Sequence, residues 1–389
     1  MYFSKLKLSI NSNKMKKLSL LLILITFFFT SCKEKPSEKS ATGTNNKSVS
    51  FKVETVVDSL SIPWGMAFLP DNSILITEQK GELIHFKNGN KTLIENVPEV
   101  YFNGQGGLLD IELHPDYTQN GWIYFSYSSN LENEGKGGNT TIMRAKLSDN
   151  KLIEKEVIYK ATPNTERGVH FGSRLEFDQD GYLYFSIGDR GNRDVNPQDI
   201  TLDGGKIYRI NDDGNIPEDN PFYNTDGAKK AIYSYGHRNP QGMAIHPETG
   251  EIWTHEHGPQ GGDEINIIKP GINYGWPKAT YGINYNNTII TENTSLPGVE
   301  EPLHFWVPSI APSGMDFVTS DKYPQWKGNI MVGSLKFQYL KRCVLENNKV
   351  VKEENLLEGL GRVRSVLEAP DGYIYVAIEH KGIVRIMPN

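Results

Sequence analysis

Three short segments flanked by glycine concentrate the side chains of this chain that could do chemistry. They cover residues 169–174, 236–242 and 257–264. His170 lies in the first of them, and an imidazole is the side chain best suited to accept a proton from a hydroxyl group near neutral pH. Asp189 follows the next apolar stretch and could orient that imidazole. A lone histidine is more often a structural hydrogen-bonding residue, so the residues alone leave both interpretations open.

A group of basic residues could bind an anion. Arg362 and Arg364 are two positions apart, so an extended segment projects both side chains to the same side. Lys336 and the earlier Arg238 complete the candidate cluster. Guanidinium groups suit carboxylates and phosphates, which indicates an anionic ligand in a chain whose net charge is -6. Scattered, solvated charge is the alternative that these four residues by themselves would favour.

A sharp bend at Gly258 and Pro259 could bind a cation. Glycine and proline hold the backbone there so that free carbonyl oxygens can point at a hard cation such as calcium. Residues 178–181 and 211–214 superficially resemble calcium loops, but they lack the later ligands and the closing glutamate, so turns are expected. The chain also lacks a nucleotide-binding glycine fingerprint between a strand and a helix, which disfavours a nicotinamide dehydrogenase.

The elements that must position these residues form an internal repeat. An apolar strand, a turn built on Pro, Asp or Gly, and an aromatic-rich strand recur six times, starting near residues 64, 107, 172, 241, 313 and 363. The apolar patterns at 182–187 and 373–378 are typical of strands with one or both faces buried. These features predict an all-β, six-bladed β-propeller, in which loops of different blades converge at one end of a central channel. A β-sandwich or two stacked barrels would not explain the sixfold repeat.

The two ends of the repeat region should complete one blade. Radial closure removes exposed sheet edges, and pairing strands from both chain ends is the usual device. Residues 51–57 and 382–386 are the expected pair. Because no second polar linker interrupts residues 51–389, we expect a single catalytic propeller domain there.

The first 32 residues have the pattern of a lipoprotein-type signal peptide. Lysines precede an apolar run at 18–29, which is too short to span a membrane and ends at Ser31 and Cys32. Cys32 is therefore the expected lipidation site, and ordinary cleavage that leaves an unmodified thiol is the alternative. Residues 33–50 are polar and form a flexible tether. This predicts an exported protein held at the bacterial cell envelope, on its periplasmic side or at the cell surface, by the lipid anchor alone.

Cysteine content and charge exclude two further classes. Cys343 is the one cysteine besides Cys32, so the lipidated chain has no pair left for an intramolecular disulfide. The net negative charge argues against a nucleic-acid binder.

Several strings in combination resemble one enzyme family over essentially the whole of residues 51–389. They are IPWGMAFLPD, GQGGLLDIELHPDY, HFGSRLEFDQDGYLYFSIGDRG, YGHRNPQGMAIHP, HGPQGGDEINIIKPGINYGWP and the closing Arg362-Val363-Arg364. Together they are similar to the soluble aldose sugar dehydrogenases that depend on pyrroloquinoline quinone (PQQ). The resemblance implies a six-bladed propeller that uses PQQ and calcium (Ca²⁺) to oxidise the anomeric carbon of an aldose to a lactone by hydride transfer.

The resemblance also implies a role for individual residues. His170 would be the base, Asp189 would orient it, and Arg238 would face the reactive carbonyl of the quinone. The residues that would hold or line the quinone site are Gln105, Asn239, Lys336, Arg362 and Arg364. The carbonyls of Gly258 and Pro259 would bind calcium, Glu264 and Tyr274 would mark a second, structural calcium, and Gln105 and Trp306 would line the sugar site.

One departure and two rivals qualify this interpretation. Val169 precedes the expected base where glucose-oxidising relatives can carry an acid, so the sugar preference is not transferable. A calcium-dependent propeller lactonase would not need Arg362 or Arg364, and a non-catalytic sugar- or protein-binding propeller would need no base. The expected partners are a small aldose and an electron acceptor of unknown identity, and the sequence leaves monomer and dimer open.

Overall fold

The computed structural model describes residues 50–389. The predicted signal peptide, its lipidation site Cys32 and the tether up to residue 49 lie outside the described residues. The described residues belong to one compact unit. None of the helices in this part of the chain is both long and apolar enough to cross a membrane.

Six four-stranded antiparallel sheets make up the fold. The strands of the first three blades, with the strand that precedes them, are β1 Phe51–Asp58, β2 Pro63–Phe68, β3 Ile74–Glu78, β4 Glu82–Lys87, β5 Asn90–Leu93, β6 Leu108–Leu113, β7 Trp122–Ser129, β8 Asn139–Ser148, β9 Lys151–Lys160, β10 Leu175–Phe177, β11 Leu183–Ile187, β12 Lys206–Ile210 and β13 Ile232–Tyr235. The strands of the last three blades are β14 Pro240–Ile245, β15 Ile252–Glu256, β16 Asp263–Ile267, β17 His304–Trp306, β18 Pro312–Phe317, β19 Ile330–Ser334, β20 Tyr339–Glu346, β21 Lys349–Leu356, β22 Val363–Glu368, β23 Ile374–Ile378 and β24 Gly382–Pro388. A four-residue α-helix, Tyr117–Asn120, and a 3-10 turn, Asn196–Gln198, interrupt the connections.

The sheets are arranged as a closed ring. The first strands of the blades, β2, β6, β10, β14, β18 and β22, contact one another in a cycle and surround the central axis. In the last blade β1 pairs with β24, from Phe51 opposite Pro388 to Asp58 opposite Gly382. Both the predicted six-bladed propeller and its closure by the two chain ends are therefore confirmed.

Burial between the blades explains the repeated apolar pattern. Strands β3, β11, β15, β19 and β23, each the second of its blade, are buried along their whole length. Each pair of neighbouring blades shares one hydrophobic cluster. A strand packed on both faces has no solvent side, so it reads as a continuous apolar run. The core therefore lies between the blades.

Strand direction decides which loops meet. In each antiparallel blade the start of the first strand lies beside the end of the second strand. The loop that precedes the first strand and the loop that follows the second strand therefore open on the same end of the channel. The loops that begin the inner strands carry Gln105, His170, Arg238 and Arg362. The loops that follow the second strands carry Asp189, Gly258, Lys336 and Glu379. Segments far apart in sequence are thus brought to one end of the propeller.

A group of acidic side chains lies further along the inner strands. Glu112, Glu176 and Asp316 come from β6, β10 and β18. Burial raises the pKa of Glu112 to about 8 and that of Asp316 to about 7, and burial with the neighbouring carboxylates raises the pKa of Glu176. Since charges on three different blades affect one another, these carboxyl groups face the shared axis.

This acidic group should make the stability of the fold decline as pH rises from acidic to slightly alkaline values. The folded-state pKa of Glu112 lies above its unfolded value of 4.5, so the folded chain retains a proton that the unfolded chain releases. Stability is then lost as pH rises from about 4.5 through about 8, by at most about 1.4 kcal/mol per pH unit for each such carboxyl. In Glu112→Gln we expect a flatter decline of Tm between about pH 5 and about pH 8. Glu346→Gln, at an exposed carboxylate of β20, should behave as wild type. Equal slopes in wild type and Glu112→Gln would show that Glu112 is ionised throughout.

Candidate active site

His170 and Asp189 form a hydrogen-bonded pair at the channel end, with the carboxylate buried and the imidazole partly exposed. Nδ1 of the imidazole lies 2.6 Å from Oδ1 of the carboxylate. The same carboxylate accepts hydrogen bonds from the backbone N–H of Gly191 at 2.7 Å and from Nε1 of Trp276 at 2.8 Å. An ionised carboxylate only accepts, so Nδ1 of the neutral ring carries the hydrogen and Nε2 keeps its lone pair. The predicted pair is thus assembled with one nitrogen available as a base.

The environment keeps this base neutral. Burial lowers the pKa of His170 below its ordinary 6.5, with help from the charges of Arg238 and Arg190, while the hydrogen bond to Asp189 opposes the shift. Burial alone would raise the pKa of Asp189, but the hydrogen bond and charge of His170 hold it below its usual value. At neutral pH the pair is therefore a neutral imidazole beside a carboxylate.

The backbone around His170 is held from two sides. Its φ of +54° lies in the left-handed region, which a residue other than glycine occupies at a cost. Its N–H donates to Oε1 of Gln105 at 2.7 Å. Asn239 is buried, and its Oδ1 accepts from the N–H of Gly172 at 3.0 Å. Gln105 and Asn239, both predicted from sequence as quinone-site residues, therefore also fix the position of the base.

Arg190 is a positioning residue that the sequence did not reveal. Only 1% of its surface is exposed, its guanidinium carbon lies 3.4 Å from the ring centre of Phe171, and it donates to the carbonyls of Val169, Arg167 and Gly138. Burial lowers its pKa to about 9. The guanidinium therefore ties the loop that ends at His170 to the carbonyl of Gly138.

Lys206 holds the loop on the other side of Asp189. Its ammonium is fully buried and donates to the carbonyls of Asn196, Asp199 and Gly204, at 2.9 and 2.8 Å for the last two. The side-chain amide of Asn196 in turn donates to the carbonyl of Asp189 at 3.1 Å. Burial lowers the pKa of Lys206 to about 7. We call this arrangement the Lys206 cage.

A cavity of about 370 Å³ beside His170 contains two of the predicted cationic residues. Its walls include Gln105, Gln241, Arg362, Arg364 and Glu379. Arg364, 9% exposed, donates to Glu379 and to Gln241, and Nε of Arg362 donates to the other oxygen of Glu379 at 2.6 Å. Two guanidinium groups share one carboxylate, so the cavity keeps a net positive charge. This arrangement fits a ligand with several carboxylates.

Lys336 and Trp306 lie outside the lining of this cavity. Lys336 is exposed, and its ammonium lies 5.0 Å from the ring centre of Phe337, while the neighbouring Leu335 lines the cavity. Trp306 is buried in β17 and donates to Glu353 at 3.1 Å. The ring of Trp306, which was expected to wall the sugar site, packs into the cluster between two blades. The aromatic side chains that line the cavity around His170 are those of Trp276 and Tyr285.

Arg238 connects the two sides of the site. Its guanidinium donates to the carbonyls of His257 and Gly258 at 3.0 and 2.9 Å, and its Nε is buried without a partner among the described residues. It lines the cavity that contains His170. The carbonyl of Pro259, at the wall of the same cavity, accepts from Oγ of Ser309 at 3.3 Å. The carbonyls of Gly258 and Pro259 are the groups that would hold a calcium ion here.

A smaller cavity contains Glu264 and Tyr274. It has a volume of about 10 Å³, enough for one water molecule or ion, and Glu256 also lines it. Burial and the charge of Glu256 raise the pKa of Glu264 well above its ordinary value, and Oδ1 of nearby Asn266 is buried without a partner in residues 50–389. This excess of oxygen acceptors fits a cation. The phenol of Tyr274 donates to the carbonyl of Ile267, so only the backbone of Tyr274 could be a ligand.

Side-chain clusters of the usual transition-metal kind do not occur in the described residues. No group of three or more His, Cys, Asp or Glu side chains there has the geometry to hold a metal ion. A cation at Gly258 and Pro259 would therefore depend on backbone oxygens, and a cation beside Glu264 would combine that carboxylate with backbone and amide oxygens.

Comparisons with known proteins agree with this geometry. The profile of the family described as Glucose / Sorbosone dehydrogenase matches residues 60–385. Aldose sugar dehydrogenase YliI of Escherichia coli is 42% identical over 347 residues, which cover 87% of this chain and 93% of the relative. Quinoprotein glucose dehydrogenase B of Acinetobacter calcoaceticus is 30% identical over 75% of this chain and 66% of the relative. Among solved structures, the PQQ-bound aldose sugar dehydrogenase of Streptomyces coelicolor superposes with a TM-score of 0.71, at 27% identity, over 88% of this chain and 99% of that one.

Proposed function

The chain belongs to the glucose/sorbosone dehydrogenase family, and from that premise we propose that it is a PQQ-dependent oxidoreductase that oxidises the anomeric carbon of aldose sugars to lactones. The observation that carries this proposal is the His170–Asp189 pair, with its 2.6 Å contact, beside the cavity in which Arg362 and Arg364 share Glu379. A base next to an anion-binding cavity is what a tricarboxylate redox cofactor and a sugar require. The family also favours this function over a lactonase or a binding module.

The residues divide the work between binding and proton transfer. When bound, PQQ supplies the acceptor for the hydride that leaves the anomeric carbon. Arg362 and Arg364 bind its carboxylates, and Gln105 and Asn239 line its site. Nε2 of His170 removes the proton of the anomeric hydroxyl, and Asp189 stabilises the imidazolium that forms. Loss of the proton and of the hydride leaves the carbonyl group of the lactone.

We further propose that calcium accompanies the cofactor. The carbonyls of Gly258 and Pro259 would hold one ion, which would act as a Lewis acid beside Arg238. Glu264 and the backbone of Tyr274 would hold a second, structural ion. The raised pKa of Glu264 and the buried, unpaired oxygen of Asn266 support the second site.

Reconstitution tests the function directly. Purified apoprotein is mixed with PQQ and calcium, and a panel of aldoses is added while the absorbance of the quinone is followed. We expect reduction of the quinone and release of a lactone, and no reduction after chelation of calcium. Apoprotein that binds PQQ with calcium and leaves it oxidised in the presence of every aldose would overturn the proposal.

The pH dependence of the rate should reflect His170. Because burial lowers the pKa of His170, the imidazole stays neutral at pH 7 and becomes protonated only in more acidic solution. The value of kcat/KM should therefore be level around neutrality and fall as pH drops below about 6.5. Initial rates at saturating PQQ and calcium, with a check that the protein stays folded, measure this limb. A midpoint clearly above 6.5 would contradict the neutral-base assignment.

We also propose that the mature chain is exported and lipid-anchored through Cys32. The support is the sequence of the first 32 residues, which lie outside the described residues. Intact mass of the mature protein and partitioning into detergent test the anchor, and an unmodified Cys32 thiol would exclude it.

A further inference from the structure

The cavity that contains His170 has a volume of about 480 Å³ and two contrasting walls. His170, Asp189 and Trp276 form one wall, where the chemistry takes place. Arg167 and Arg193 belong to the rest of the lining, together with neutral side chains such as Asn284 and Tyr285. The mechanism uses none of these four outer residues.

Arg167 and Arg193 are held in place by neutral groups. Nη1 of Arg167 donates to the carbonyl of Gly191 at 2.6 Å, and Nη1 of Arg193 donates to Oδ1 of Asn284 at 2.7 Å. These hydrogen bonds fix the guanidinium groups without neutralising them. The remaining N–H groups can therefore bind a ligand that enters from the solvent.

The carboxylates near this wall do not cancel the two charges. Asp194 also lines the cavity, but it lies 3.6 Å from Nε of Arg193 and its side chain is 83% exposed, so water screens the contact. Asp189 is buried and already accepts hydrogen bonds from His170, Gly191 and Trp276. The side chain before the base, Val169, is apolar and adds no negative charge. The outer part of the pocket thus keeps an excess of positive charge.

We propose that this pocket is built for an aldose that carries an anionic group, a carboxylate or a phosphate, at the end remote from its anomeric carbon. With that carbon at His170, the anionic group meets Arg167 and Arg193. Hydrogen bonds between ions are about twice as strong as those between neutral groups, so the acidic sugar gains more than a neutral one. The proposal rests on the proposed function, since it names the substrate class of the same site.

Rates with matched sugars test the inference. Holoenzyme reconstituted with PQQ and calcium is assayed with glucose, glucuronate and glucose 6-phosphate at low and high salt. We expect kcat/KM for at least one acidic sugar to exceed that for glucose by about tenfold, chiefly through KM, and the difference to shrink at high salt. Preference for glucuronate alone would identify a carboxylate, and preference for glucose 6-phosphate alone would identify a phosphate.

Substitutions localise the effect. In Arg167→Gln/Arg193→Gln the ratio of kcat/KM for the preferred acidic sugar over glucose should fall about tenfold. Lys151→Gln, on the outer strand β9, removes a charge of the same sign and should leave the ratio unchanged. Calorimetry of the holoenzyme with its quinone chemically reduced, titrated with glucuronate, glucose 6-phosphate and glucose, gives a readout that does not depend on turnover and leaves the cavity of Arg362 and Arg364 filled.

The outcomes separate the two proposals. Rapid oxidation of glucose with no preference for either acidic sugar would overturn this inference and leave the proposed function standing. A preference that survives in the double variant would overturn the assignment to Arg167 and Arg193. Absence of quinone reduction with all three sugars would count against the proposed function, and equal calorimetric affinities would then reject the anionic specificity as well.

Discussion

Replacing His170 should slow reduction of bound PQQ by about a hundredfold to ten thousandfold, the usual effect of losing one positioned proton acceptor. The cofactor and calcium should still bind, because His170 contributes no charge to the cavity of Arg362 and Arg364. His170→Asn is the better variant and His170→Ala the second, since asparagine tolerates the left-handed backbone at φ +54° more readily than alanine. Stopped-flow mixing with excess aldose isolates this step from reoxidation.

His380 offers a matched control for this experiment. It has nearly the same backbone conformation, with φ +59°, and is exposed. His380→Asn should reduce its quinone as fast as wild type. If His170→Asn did the same, His170 would be structural and another residue would have to be the base.

Removing Arg364 should weaken PQQ binding by about 1.5 to 3 kcal/mol, which corresponds to an increase in Kd of roughly 10- to 150-fold. Arg364 is 9% exposed and donates to Glu379 and Gln241. In Arg364→Ala the cavity loses one guanidinium, and Arg362 alone then balances the charge of Glu379. A carboxylate ligand therefore loses one attractive partner and is repelled more strongly by Glu379. Calorimetric titration of PQQ into calcium-loaded apoprotein measures the change.

Two further variants show whether the loss of affinity is specific to the guanidinium of Arg364. Arg364→Lys keeps the charge and loses the fork of N–H groups, so an intermediate affinity is expected. Arg385→Ala removes a guanidinium that pairs with Glu54 at the edge of the last blade, away from the cavity, and should leave PQQ affinity unchanged. Equal affinity in wild type and Arg364→Ala would remove Arg364 from the cofactor site.

The sequence predicted the fold for a reason that is visible in the packing. Strands such as β11 and β23 are buried on both faces, so they stand out as apolar runs, and the turns between them recur with the blades. His170 and Asp189 could be paired in advance because each adjoins an end of such a strand. Arg362 and Arg364 could be grouped because alternation along an extended segment places them on one side.

Residues whose role depends on long-range contacts could not be predicted. Arg190 and Lys206 look like solvated loop charges, and their burial depends on carbonyls that the folded loops bring together. Lys336 follows Leu335, which lines the cavity, but both lie in the turn between β19 and β20, where strand alternation does not indicate the direction of a side chain. Trp306 lies in the three-residue strand β17 and packs between two blades, and the residues around it in the sequence do not indicate that packing.

The Lys206 cage also predicts how the site responds to chelators. A bound ion can be diluted or stripped away, whereas the ammonium of Lys206 is covalently attached to the chain whose carbonyls surround it, so its effective concentration stays high under any dialysis. Through Asn196 this covalently attached amino group supports the loop that carries Asp189. Protein depleted of divalent cations should therefore keep the His170–Asp189 pair assembled and should regain activity as fast as its cofactors rebind.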